Sequence, residues 1–117
     1  MEAEFWEYME KLVPFTSITI DRPKGLSHPR YPDMVYPVNY GYLEGTRLPD
    51  NSEIDVWIGS NSKKENNVFL ATIDLNKMDS EIKLVIGCSD KEISLIQDFH
   101  NSNGMRTIFV DHKEKSE

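Results

Sequence analysis

The sequence predicts a small, mainly β domain with a helix near each end. Short apolar or alternating runs recur between clusters of turn-forming residues, as in compact all-β proteins. One amphipathic segment precedes these runs and another lies before the last of them. A chain of 117 residues suits one hydrophobic core, so we expect a single domain over residues 1–117. The pattern favours a small, mostly antiparallel barrel or curled sheet over a doubly wound fold.

The first predicted element is an amphipathic helix over residues 2–13. Its acidic residues cluster near the start, where they face the positive end of the helix dipole. Pro14 is expected to end it, because proline cannot continue a helix. One face carries the apolar side chains Phe5, Trp6, Met9, Leu12 and Val13.

Five strand-like runs follow the first helix. A Pro- and Gly-rich segment, residues 21–50, separates the first run from the others, and its four tyrosines favour an ordered, packed loop. A second helix should begin at Ser89, where Ser-Asp-Lys-Glu matches a capping box, and end at Asn103-Gly104. The charged residues 111–117 are expected to fray. The five runs are Phe15–Ile20, Ile54–Ile58, Val68–Ile73, Ile82–Ile86 and Arg106–Val110.

Charge and composition exclude several classes of protein. Thirteen Lys and Arg against twenty Asp and Glu give a net charge of -7, which argues against binding a nucleic acid. The acidic N-terminal segment has no apolar stretch that would suit a signal peptide or a membrane span, so we expect a cytoplasmic protein with no membrane partner. A single cysteine, Cys88, lies in an apolar run and is expected to be a buried thiol.

Two sequence blocks carry the chemistry. Residues 36–42 read Tyr-Pro-Val-Asn-Tyr-Gly-Tyr, and residues 50–56 read Asp-Asn-Ser-Glu-Ile-Asp-Val. In this order and at this separation they resemble the two hallmark blocks of family I (soluble, metal-dependent) inorganic pyrophosphatases. Asp79–Val85 resembles that family's third block, an acidic pair followed by Lys and aliphatics. The resemblance covers roughly residues 16–100 and is strongest to a short, single-domain branch.

The resemblance implies a fold, an activity and a site. It implies a five-stranded, closed or partly open barrel of the oligonucleotide-binding (OB) type, flanked by an N-terminal and a C-terminal helix. The activity would be Mg²⁺-dependent hydrolysis of pyrophosphate to two phosphates, with Mn²⁺ as an equally suitable ion and a homo-oligomeric assembly. Candidate metal ligands are Asp50, Asp55, Asp79 and Glu81. Candidate substrate ligands are Arg30, Lys83, Tyr40 and Arg22, and candidate catalytic residues are Asp55, Ser52 and Tyr40.

The residue types suit this chemistry, because Mg²⁺ prefers oxygen ligands and clustered ions can both neutralise phosphate oxygens and acidify water. Strand alternation places Asp79, Glu81 and Lys83 on one face. It also places Asp55 with Trp57, opposite the face of Ile54, Val56 and Ile58, so Asp55 should face a cleft or solvent if that aliphatic face is core. We expect Lys83 and Arg30 to be exposed ligand groups whose loss barely changes stability. Simpler interpretations are a surface ion pair for Glu81 and Lys83, and a turn residue for Asp50.

The chain departs from the family pattern at Ser52. The family has an Asp or Glu there, thought to take a proton from the attacking water, and serine cannot accept one at neutral pH. The family's late Tyr-Lys pair is also absent, since Phe99 and His100 or Asn101 fall near that position. Two alternatives therefore stay open: a non-catalytic phosphate- or metal-binding module, and a hydrolase of another phosphoanhydride such as a nucleotide. His28, His100 and His112 show no spacing that indicates a metal site.

Overall fold

A computed structural model describes residues 2–13 and 17–112 as a mainly β fold with two helices. Pro14, the first two residues of the strand predicted at Phe15–Ile20, and the end of the charged tail lie outside these residues. The helices are α1 (Glu2–Leu12) and α2 (Asp90–Asn101). The strands are β1 (Ser17–Arg22), β2 (Asn39–Glu44), β3 (Ile54–Ile58), β4 (Val68–Asp74), β5 (Asp79–Ile86) and β6 (Met105–Asp111).

The six strands form one mixed sheet in the order β1-β2-β3-β5-β4-β6. Only β3 and β5 pair in parallel among the described strands, and the other neighbours are antiparallel. The prediction of a mainly β fold is confirmed. In the part of the chain that the structure describes, β1 and β6 are the two edges of an open sheet of six strands, where five were expected.

The additional strand is β2, which lies inside the segment predicted to be a loop. Its residue Gly41 was interpreted as a turn former, but it pairs with Ile20 of β1 and Val56 of β3. A Cβ at Gly41 would lie 1.9 Å from the carbonyl oxygen of Thr19. Glycine is therefore required here because two backbones approach closely.

Both faces of the sheet are covered by a helix and carry a core. On one face, Trp6 and Met9 of α1 pack with Leu43, Val56, Leu84 and Ile86. On the other face, Ile96 of α2 packs with Tyr36, Val38, Trp57, Leu70 and Val85. Helix α2 covers the face that Trp57 shares with Asp55 and leaves Trp57 with no exposed surface.

The start of α2 agrees with its predicted capping box. Glu92 N–H donates to Ser89 Oγ at 3.2 Å, and Ser89 N–H donates to Glu92 Oε1 at 2.8 Å. The helix ends at Asn101, two residues before the predicted end. Cys88 is half-buried, and burial raises the pKa of its thiol to about 12. Neither described helix is long and apolar enough to cross a membrane.

Candidate functional site

Three polar side chains from three adjacent strands meet around the ammonium of Lys83. Lys83 Nζ donates to Tyr40 Oη at 2.8 Å, to Asp55 Oδ2 at 2.9 Å and to Glu81 Oε1 at 3.0 Å. Tyr40 Oη in turn donates to Asp55 Oδ2 at 2.7 Å. We call Tyr40, Asp55, Glu81 and Lys83 the Lys83 cluster.

Sheet register explains why these residues meet. Tyr40 lies on β2 opposite Trp57 of β3, two residues from Asp55. Strand β3 then pairs with β5, which carries Glu81 and Lys83 two residues apart on one face. The alternation predicted from the sequence therefore gives the observed pairing of Glu81 with Lys83.

Lys83 is buried, with 6% of its surface exposed, so the prediction that it is an exposed group is wrong. Burial by itself lowers the pKa of Lys83, but Tyr40, Asp55 and Glu81 outweigh it and raise that pKa. Burial raises the pKa of Tyr40, and the charge of Asp55 adds to this effect. At neutral pH the cluster therefore holds an ammonium and a neutral phenol as hydrogen-bond donors.

A cavity of about 560 Å³ opens beside the cluster. Tyr40, Glu81 and Lys83 line it, together with Asp79 and His28. Asp55 is outside this lining and supports the cluster from the neighbouring strand. The cavity thus presents four carboxylates, two ammonium groups and three phenols to a ligand: Asp33, Asp74, Asp79 and Glu81, Lys77 and Lys83, and Tyr31, Tyr36 and Tyr40.

Further cations surround His28 at this cavity. The pKa of His28 is lowered by burial and then by the charges of Arg22, Arg30 and Lys77. The backbone N–H of Arg30 donates to His28 Nδ1 at 3.0 Å. Two of the predicted substrate ligands, Arg22 and Arg30, therefore lie near His28, although neither of them lines the cavity. Lys77 belongs to the same neighbourhood and was missed, because a single lysine in a turn gives no sequence signal.

Asp50 and Ser52 form a separate pair. Asp50 Oδ1 accepts hydrogen bonds from the Ser52 backbone N–H at 3.0 Å and from Ser52 Oγ at 2.6 Å. These bonds lower the pKa of Asp50. This is the geometry of an Asx turn, in which the carboxylate satisfies its own loop. Asp50 lines a second, mainly apolar groove of about 990 Å³, while Asp79 and Glu81 line both the groove and the cavity.

The four predicted metal ligands are therefore brought together only in part. Asp55 and Glu81 meet at Lys83, Asp79 lies with Glu81 on the cavity wall, and Asp50 is tied to Ser52. Among residues 2–13 and 17–112, no three His, Cys, Asp or Glu side chains form a group that could hold a metal ion by themselves.

His100 is a site residue that the sequence reasoning missed. It is buried, with 3% of its surface exposed, and it lines the cavity. Trp57 Nε1 donates to its Nε2 at 3.2 Å, and burial, with a smaller effect of the Lys83 charge, lowers the pKa of His100 to about 4. Its position four residues after Ile96 was a usable signal, because that spacing places it on the buried face of α2.

Comparison with known proteins adds no assignment. No protein-family model matches the chain, and no curated protein matches it either. The assignment of function therefore depends on the residues of the site.

Proposed function

We propose that the protein is a Mg²⁺-dependent hydrolase of inorganic pyrophosphate, related to the short branch of the family I enzymes. The main observation in favour is the composition of the Lys83 cluster. Tyr40 comes from the first sequence block, Asp55 from the second, and Glu81 and Lys83 from the third. Blocks chosen for their resemblance to one family thus supply the members of one buried polar cluster.

The carboxylates of the cavity suit a hard divalent ion. The cluster's hydrogen bonds end on Asp55 Oδ2 and Glu81 Oε1, which leaves the second oxygen of each carboxylate for a ligand. Mg²⁺ commonly binds through one or two carboxylates, with waters and substrate phosphates completing its shell. Asp79 and Glu81 on the cavity wall would hold Mg²⁺ or Mn²⁺ in this way, Asp55 would support them from the neighbouring strand, and Asp50 would join them on leaving Ser52. When bound, the ion would neutralise phosphate oxygens and acidify water.

The protein's own cations and donors would bind the substrate. Arg22 and Arg30 offer planar guanidinium groups, Lys83 offers a point charge, and Tyr40 offers its hydroxyl. In the reaction, the oxygen of water bonds to one phosphorus and the bridging P–O bond breaks. The leaving phosphate carries the electron pair of that bond, and the products are two phosphates. The cavity residues would keep both phosphate groups bound and in position while the bridging bond breaks.

The proposal also covers the fold, the cellular location and the assembly of the protein. The open sheet of six strands would derive from the family's five-stranded OB-type barrel. We propose a cytoplasmic location and a homo-oligomeric assembly on the same resemblance. Pyrophosphate is the partner, and neither a nucleic acid nor a membrane is proposed.

Ser52 favours a second candidate, a non-catalytic module that binds phosphate or metal on the same scaffold. Its hydroxyl is already bonded to Asp50 at 2.6 Å. A serine in this position orients neighbours but takes no proton from water. The cavity would then bind its anion and release it unchanged.

Phosphate release separates these candidates. We expect the chain to release phosphate from pyrophosphate with Mg²⁺ and to stop when EDTA is added. Asp55→Asn keeps the shape of the side chain but removes its charge, and should lower the rate by about a hundredfold or more. Binding of a non-hydrolysable analogue without any phosphate release would favour the binding module, and no binding at all would refute both.

Replacing Ser52 with Asp tests the proposed weak point. A positioned general base contributes about 10² to 10⁴ in rate, so Ser52→Asp should speed pyrophosphate hydrolysis by at least about tenfold. Ser52→Ala is the matched control, since it removes the hydroxyl without adding a base, and should leave the rate within about threefold of the wild type. A fast wild type that Ser52→Asp slows would show that another residue, with Glu53 the first to test, supplies the base.

A further inference from the structure

His100 carries a buried hydrogen-bond donor that has no partner. The indole N–H of Trp57 can only donate, so the His100 Nε2 atom that it contacts must be an acceptor. In a neutral imidazole the proton then resides on Nδ1, and the lowered pKa of His100 agrees with a neutral ring. His100 Nδ1 is buried and makes no hydrogen bond to any described residue. A buried donor left unpaired is costly, which favours a ligand that supplies an acceptor.

Aromatic rings surround this donor. Tyr36, Tyr40 and Phe99 line the cavity together with His100. The ring centroids of Tyr36 and Phe99 are 4.9 Å apart, and those of Tyr36 and Tyr40 are 5.4 Å apart. One part of the cavity is therefore aromatic and holds the neutral donor of His100, while the other part holds the charged residues of the Lys83 cluster.

Pyrophosphate would use only the charged part of this cavity. Cavities of roughly 300–1,000 Å³ commonly enclose organic ligands, and the volume of about 560 Å³ falls within that range. Flat, polarisable rings are suited to stacking on another ring, whereas a phosphate gains nothing from them. The aromatic part therefore indicates a substrate with a second, planar group.

We propose that the cavity also takes, as a second substrate, a phosphoanhydride that carries a heteroaromatic base, with a nucleoside diphosphate as the simplest case. This inference rests on the proposed hydrolase function and adds a second substrate class to pyrophosphate. The base stacks against Tyr31 and Phe99, whose rings keep exposed surface, and one of its ring acceptors binds the N–H at His100 Nδ1. The diphosphate lies at the Lys83 cluster. The oxygen of water bonds to the terminal phosphorus and the bridging P–O bond breaks, with its electron pair kept by the leaving nucleoside monophosphate. The products are phosphate and the nucleoside monophosphate, and a proton from the water is released to solvent.

Calorimetry on the full chain with Mg²⁺ tests this with two probes, α,β-methylene-ADP and imidodiphosphate. We expect the nucleotide analogue to bind at least about fivefold more tightly than imidodiphosphate, from stacking of the base. His100→Phe keeps a ring but removes the donor, and should weaken binding of the nucleotide analogue by about fivefold while leaving imidodiphosphate within about twofold. His100→Gln, which can both accept from Trp57 and donate, should retain most of the affinity.

A variant at a second position keeps the test informative if the His100 variants misfold. Tyr31 lines the same cavity, its ring lies 5.1 Å from that of His28, and it is 53% exposed, so Tyr31→Ala should fold normally. It should weaken only the nucleotide analogue, by about fivefold. Tyr8→Ala is the matched control, since Tyr8 is an exposed tyrosine of α1, which packs on the other face of the sheet.

The two hypotheses fail in different ways. Binding of imidodiphosphate with no tighter binding of the nucleotide analogue would overturn this inference and leave the proposed hydrolase in place. An equal loss for both probes in His100→Phe and Tyr31→Ala would also overturn it, because these residues would then be structural. Absence of binding for both probes would overturn the proposed function itself.

Discussion

Lys83 combines a structural role with the proposed binding role. A buried ammonium is stable only when its charge and its protons are matched by partners, and Lys83 has three of them. Two of these partners, Asp55 and Glu81, keep about a third of their side-chain surface in solvent. Solvent therefore screens part of the attraction, and the ion pairs are weaker than fully buried ones.

We predict that Lys83→Ala destabilises the fold, in contrast to the expectation from the sequence. The free energy of unfolding should fall by roughly 1–3 kcal/mol, because Asp55 and Glu81 lose a shared counter-ion and Tyr40 loses a hydrogen-bond donor. Chemical denaturation measures this. Lys63→Ala is the control, since Lys63 pairs with Glu65 at 3.4 Å but its side chain is 83% exposed, and should change stability by less than about 0.5 kcal/mol. Equal losses of stability in Lys83→Ala and Lys63→Ala would show that the buried Lys83 stabilises the fold no more than an exposed ion pair does.

At the level of elements, strand β2 joins the first sequence block to the rest of the sheet. It lies between β1 and β3, so any change that separates it from β1 removes an edge strand. Gly41 is the point of closest approach, and a side chain there meets backbone atoms of Thr19 and Ile20, which cannot move aside as a flexible side chain could. The glycine of the Tyr-Gly-Tyr motif is thus explained by strand packing, and no catalytic role is needed for it.

Gly41→Ala should therefore disrupt the pairing of β1 with β2. We expect a loss of about 2 kcal/mol or more, as for severe overpacking, together with faster amide exchange in β1. Gly45→Ala provides a comparison, because Gly45 has a φ of +86° but nothing within 4 Å of an added Cβ. It should cost only about 1 kcal/mol, the price of a left-handed conformation. A Gly41→Ala variant as stable as Gly45→Ala would contradict the close approach of β1.

Local patterns predicted most elements, whereas long-range packing decided the rest. The amphipathic helix at α1, the capping box at Ser89 and the alternation on β5 are local signals, and the structure agrees with them. Strand β2 was missed because its glycine and tyrosines match the composition of a loop, and only the contact with β1 explains them.

The candidate site shows the same difference between what local patterns predict and what long-range packing decides. Alternation predicted that Glu81 and Lys83 share a face, but it could not show that Lys83 would be buried with Tyr40 and Asp55 as further partners. It could not place Asp50 either, since an Asx turn and a metal ligand require the same residue type. The role of His100 as an acceptor could be recognised only when the structure placed Trp57, forty-three residues away in sequence, beside it.

The molecule as a whole carries its charge unevenly. The net charge is -7, and α1 contributes the exposed acidic residues Glu2, Glu4, Glu7 and Glu10. The cations Arg22, Arg30 and Lys77 instead surround His28 beside the cavity. The radius of gyration is 14.1 Å, which is shorter than the Debye length of about 30 Å at low salt. At low salt an approaching anion therefore experiences both the net negative charge and the local cations. At about 0.15 M salt the Debye length is about 8 Å, and mainly the local cations act.

We therefore predict that anion binding depends on salt in two opposite ways. At a fixed concentration of free Mg²⁺, the association rate of imidodiphosphate should rise several-fold from about 0.01 M to about 0.15 M NaCl, as repulsion by the net charge is screened. It should fall again towards about 1 M, where the local attraction is screened as well. Stopped-flow measurement of the rate gives the curve.

Charge reversal on α1 isolates the cause of the rising limb. Glu4→Lys with Glu7→Lys adds two charges at each of two exposed positions, so the net charge changes from -7 to -3 without touching the cavity. The rise at low salt should then shrink, because less repulsion remains to be screened, while the fall at high salt persists. Arg30→Ala should do the reverse and weaken the attraction that salt removes. A rate that only decreases with salt in the wild type would mean that the local cations outweigh the net charge at every distance, and that the acidic surface plays no part in the approach of the substrate.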